Sequence, residues 1–143
     1  MKRLLVVMFW VASLSVPSFG DAWDDADAAR KRGEIATYVT ILRDLAEQGN
    51  AKAKVNLAAM YLRGKGVPQD FAEAYFWLIL AVRQIHTFSA ECDEAASKLP
   101  PAKQQEVRER CKRWLEVLEF RRKFQETLAT ETRSWPDATG QCE

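Results

Sequence analysis

Between Ala51 and Val82 the apolar positions follow the helical period, break once, and then run almost without interruption. In the first half, Val55, Leu57, Ala58, Tyr61 and Leu62 recur every three or four residues, while Lys52, Lys54 and Arg63 fall elsewhere. That spacing predicts an amphipathic helix. Ala51, Ala53, Ala58 and Ala59 let its backbone approach a neighbour. Gly64 ends it, because glycine takes the left-handed C-terminal conformation without a steric penalty. Gly66, Val67 and Pro68 make the turn, with Val67 as an apolar plug beneath it. Asp70 is placed to cap a second helix, and Glu73 three residues later completes an acidic version of the capping box. The second helix, from Phe71 to about Ile85, is apolar nearly all round from Ala74 to Val82. Such a helix needs cover on both sides. The run is shorter than the roughly 20 residues that span a bilayer.

A helical pair of this kind cannot bury its own apolar surface and needs similar units stacked beside it. The residues resemble a Sel1-like repeat, a relative of the tetratricopeptide repeat. The small and apolar positions of that pattern fall at Ala51, Ala53, Leu57 and Ala58, its aromatic at Tyr61, and its Gly-x-Gly-Val loop at Gly64, Gly66 and Val67. Its acidic cap falls at Asp70, its small helix-contact residue at Ala74, and its Trp and Ala at Trp77 and Ala81. Ala58 stands where the pattern usually has Gly. The resemblance implies an all-α fold, a short right-handed α-solenoid of antiparallel hairpins whose usual work is to hold other proteins. It also implies that first helices line the concave surface, which makes Lys54, Asn56, Met60 and Arg63 the expected partner contacts. A denser cysteine spacing marks the disulfide-rich branch of the family. This chain lacks that spacing, so the activities of that branch do not carry over.

The flanking sequence repeats the theme in shortened form. Glu34 to Gln48 answers the second helix at an offset of 36 residues, with Glu34 for Asp70, Ile35 for Phe71, Ala36 for Ala72 and Leu42 for Leu78. A short acidic and alanine-rich helix, Asp21 to Arg32, precedes it, with Gly33 as the break and Gly49-Asn50 as the next turn. After the central repeat, 51–85, a connection leads to Ser89, the expected N-cap of the next helix. Pro100-Pro101 ends that helix and opens a long one carrying the stripe Val107, Cys111, Trp114, Leu115 and Leu118 towards Leu128. This hairpin, 89–129, resembles the C-terminal cap found after Sel1-like repeats. From Thr130 onward, Ser134, Pro136 and Gly140 predict a flexible tail, 130–143.

Composition narrows the function class. The 143 residues are 48% hydrophobic and 29% charged with a net charge of +1, the balance of a globular domain rather than a disordered or nucleic-acid-binding chain. Met1 to Gly20 stands apart. Lys2 and Arg3 precede an apolar core, and Ser18-Phe19-Gly20 offers a cleavage site, so we read a secretory signal peptide cut after Gly20. The alternative is an uncleaved anchor, which would be the chain's one membrane contact. A periplasmic or secreted location follows, with the repeat domain at 21–129.

Three cysteines in an exported chain suggest one disulfide and one leftover thiol. Cys92 lies about eight residues before the Pro-Pro turn and Cys111 about ten after it, which puts them at levels within roughly 3 Å on paired helices. A Cys92–Cys111 bridge is therefore expected; the alternative is a pair of buried, unbonded thiols, with Cys142 free or pairing between chains. The lone His86 has no partners that suggest catalysis, and Gly64-Lys65-Gly66 is no phosphate loop. Asp24, Asp25 and Asp27 read as dipole partners in a first helical turn. The basic residues Arg108, Arg110, Lys112, Arg113, Arg121, Arg122 and Lys123 share their helix with Glu106, Glu109, Glu116, Glu119 and Glu126, a mixed solvated face rather than a nucleic-acid surface. The expectation is a non-enzymatic interaction module without a cofactor or metal, able to self-associate, docking a protein or peptide partner of the cell envelope. The alternatives are a cell-wall hydrolase and an accessory subunit of an envelope complex.

Overall fold

The computed structural model describes residues 19–133, with side chains for 20–130. Six α-helices follow one another: α1 (Phe19–Arg32), α2 (Ile35–Glu47), α3 (Ala51–Arg63), α4 (Phe71–Val82), α5 (Ser89–Ser97) and α6 (Pro101–Arg133). A single 3-10 turn, His86–Phe88, leads into α5, and no strand occurs among the described residues. The fold is all-α, as the periodicity predicts. The leader expected at Met1–Gly20 lies outside the described residues except for Phe19 and Gly20, which open α1. Cys142 also lies outside them.

Successive helices pack in order, α1 on α2, α2 on α3 and α3 on α4, and then both α5 and α6 pack on α4. α4 is consequently the centre of the molecule. Ala74, Tyr75, Phe76, Trp77, Leu78, Leu80 and Ala81 are all buried, leaving only Ile79 and Val82 of the apolar run partly open. Each large apolar side chain taken fully out of water contributes about 1.5–3 kcal/mol. The greasy composition of α4 thus reflects neighbours on opposite sides. Ala53, Leu57, Ala58 and Tyr61 of α3 are buried against it. The Tyr61 hydroxyl accepts a hydrogen bond from Arg43 of α2 at 2.6 Å.

The local signals for these helices act through identifiable atoms. Asn50 caps α3, its side-chain oxygen accepting from the Ala53 N–H at 3.0 Å. Asp70 caps α4 by accepting from the N–H groups of Ala72 and Glu73 at 2.8 and 3.0 Å. The reciprocal half of the expected capping box does not form. The Asp70 N–H instead donates to the Tyr61 carbonyl at 3.0 Å, which ties the loop to the end of α3. Glu73 is left to pair with Arg110 of α6, whose guanidinium also lies 4.1 Å over the Phe76 ring. The α3–α4 loop folds back on α2. Gly66, at φ +76°, sits so close that a Cβ there would stand 2.5 Å from Ile35 Cγ2 and 3.2 Å from Val39 Cγ2.

Several boundaries differ from the sequence expectation: α1 starts at Phe19 rather than Asp21, and α4 ends at Val82 rather than near Ile85. Ser89 is the first residue of α5 rather than its cap; Phe88 occupies the cap position, with no side-chain hydrogen bond there. Thr130 to Arg133, expected to open a flexible tail, instead continue α6, and the rest of the expected tail, 134–143, lies outside the described residues. The outer turns of α6 carry the helix-spaced pairs Lys123–Glu119 and Arg122–Glu126, and Thr130 hydrogen-bonds back to the Thr127 carbonyl. Such pairs support an exposed helix with little packing.

Candidate functional site: a groove between α3 and α5

Because α4 underlies both α3 and α5, a furrow opens between the latter two with α4 as its floor. Val55, Ala59, Leu62 and Arg63 line it from α3, Leu78 from below, and Phe88, Glu91 and Glu94 from the α5 side. Its volume is about 450 Å³. The α3 residues recur at spacings of four, three and one, a single helix face that is apolar until Arg63 closes it. On the opposite rim, Glu91 and Glu94 lie one turn apart and are both exposed. The furrow thus has an apolar bed, one basic rim and one acidic rim. A peptide side chain of apolar character fits the bed, and flanking charges are sorted by the rims.

The expected partner contacts fare unequally. Arg63 is exposed and lines the groove. Met60 packs against the core and Asn56 is half-buried, one position round the helix from the lining face. Lys54 is not a surface contact: it is 4% exposed, and its Nζ lies 3.4 Å from Gln84 Oε1 near the end of α4. Sequence reading missed Val55, Ala59, Leu62, Leu78, Phe88, Glu91 and Glu94. The signal for the first three was present in their shared face. Nothing in the sequence set α5 opposite that face.

Burial lowers the Lys54 pKa from the ordinary lysine value, since the ammonium loses water without gaining a carboxylate. Lys54→Met is expected to raise stability by about 1 kcal/mol at neutral pH, as apolar replacements of buried charges often do. The sign with pH follows from the lowered folded value. The folded chain releases this proton more readily than the unfolded one, so stability from this group rises with pH between the lowered value and the ordinary one. The advantage of the Met variant is therefore expected to shrink as pH approaches 10, measurable by thermal denaturation at several pH values.

The cysteines also depart from expectation. Cys92 and Cys111 are free thiols; the expected bridge is not formed. Both α5 and α6 pack principally on α4 rather than on one another. Equal height along two helices therefore does not bring the sulfurs together. The Cys111 thiol instead donates to the Phe76 carbonyl at 3.7 Å. Burial pushes Cys92 up to about 11 and Cys111 up to about 12, so both are protonated and weakly nucleophilic at neutral pH.

Trp77 is buried and Trp114 partly so, and with Phe76 they form an edge-to-face group at 5.0 to 6.0 Å between centroids, the seam between α4 and α6. Trp23, near the start of α1, lies under Lys52 Nζ at 4.6 Å. Among the described residues no three metal-ligating side chains come together, and no helix is long and apolar enough to cross a membrane. No protein-family model, curated protein or solved structure matches the chain.

Proposed function

We propose that this chain is a non-catalytic interaction module, a short Sel1-like α-solenoid that docks a protein or peptide segment in the α3–α5 groove. The observation that carries the reading is the groove itself, an apolar bed about 450 Å³ in volume between rims of opposite charge. Supporting it, the helices pair in sequence order, as in stacked hairpins. The motif residues from Ala51 to Ala81 supply the packing and turns of such a unit. A cleaved leader would place the module in the periplasm or outside the cell, with a partner from the envelope. The preferred ligand is a segment with an apolar anchor, a basic residue facing Glu91 and Glu94, and an acidic one facing Arg63. A hydrolase would need a sequestered acid–base pair, whereas the groove's two carboxylates stand exposed on one rim.

The test is photo-crosslinking in cells from a probe at Arg63, compared with one at Lys103, which is exposed on α6. The same adduct is expected from Arg63 and from Glu91, but not from Lys103. The double change Glu91→Lys with Glu94→Lys is expected to weaken binding of that adduct's purified partner by about tenfold or more. Equal labelling from Lys103, or binding indifferent to the charge reversal, contradicts the reading.

A further inference from the structure

Beyond the groove, α6 carries a second apolar stripe. Its inward stripe, Val107, Cys111 and Trp114, packs towards α4. Val117, Phe120 and Phe124 follow at spacings of three and four but lie about 100° round the helix from it. They are exposed, at 56%, 72% and 56%. The Phe120 and Phe124 rings lie nearly parallel with centroids 6.4 Å apart. Three and four is the spacing of a two-helix seam. The same face stays open further back along α6, where Glu106 and Arg113 are exposed.

We infer that this stripe is the contact between two copies of the chain, an antiparallel α6–α6 pair related by a two-fold axis at Phe120. The charges beside the stripe support that occupant. Glu116 and Lys123 lie on the same flank, seven residues apart. In an antiparallel pair centred on Phe120, Glu116 of one copy stands within about 1.5 Å in height of Lys123 of the other. Symmetry makes two such pairs. Lys123 also contacts Glu119 of its own helix at 3.2 Å, and both side chains are exposed enough to share it. A parallel pair instead sets Glu116 opposite Arg121 of the other copy and leaves Lys123 facing Leu128, so the antiparallel register is the one that pairs Glu116 with Lys123. The proposal does not depend on the groove, which uses other helices.

Sedimentation equilibrium of the purified protein tests it. A reversible dimer is expected, and Phe120→Ser, at a site too exposed to affect folding, abolishes it. Glu116→Lys and Lys123→Glu each weaken association about tenfold, since every substitution removes both pairs and adds repulsion. The Glu116→Lys, Lys123→Glu double variant restores dimerisation. A wild-type monomer, a dimer that survives Phe120→Ser, or a double variant no better than the singles overturns the proposal. So does a monomer that binds phosphatidylglycerol vesicles through Phe120, which would make the stripe a membrane contact.

Discussion

Phe76→Ala is expected to lower stability by about 3–5 kcal/mol, and Phe76→Leu by less than about 1.5 kcal/mol, in thermal and urea denaturation. Phe76 is fully buried on α4. Its ring meets Trp77 at 5.0 Å and Trp114 at 5.8 Å edge to face, and Arg110 covers it at 4.1 Å. Truncation removes the shared member of this group and leaves a cavity where α6 is seated. Against a typical total of roughly 5–15 kcal/mol, that loss is a large fraction. The Leu variant keeps most of the volume, so a similar loss for both would show that the seam does not depend on filling this space.

The second large effect is at the loop. Gly66→Ala is expected to cost about 2–3 kcal/mol, from the left-handed backbone and the displacement of Ile35 together. Gly33 provides the comparison. Its φ is +77°, nearly the same as Gly66, yet a Cβ there meets nothing within 4 Å. Gly33→Ala should therefore cost only the conformational part, about 1 kcal/mol. The difference between the two melts isolates how tightly the α3–α4 loop seats on α2. Equal losses would mean that the loop stands clear of α2 in solution.

The parts of this fold that were legible in sequence are those governed by short-range rules. The helical period of α3, the stop at Gly64 and the cap at Asp70 depend on residues within a turn of one another, and each appears as expected. The uninterrupted apolar run of α4 announced a helix covered on both sides before its neighbours were known. What was not legible depends on lateral placement. The Cys92–Cys111 expectation used height along the helices, which says nothing about the distance between helix axes. Lys54 looked like a surface charge because it breaks the apolar period, yet its stem runs into the seam beside Gln84. Glu73 was assigned to a local capping box, and a residue 37 positions away claimed it instead. Of the groove, sequence supplied Arg63 and one helix face; the acidic rim came only with the packing of α5 onto α4.

The central claim is that α4 is held between neighbours on both sides while α6 extends past the packed body. Native-state hydrogen exchange read by mass spectrometry addresses it directly. The account predicts that the amides of Tyr75–Val82 exchange only through global unfolding, with the same dependence on denaturant as the whole molecule, while those of α6 beyond Leu118 exchange far sooner in the monomer. Exchange from α4 as fast as from the end of α6 would contradict it.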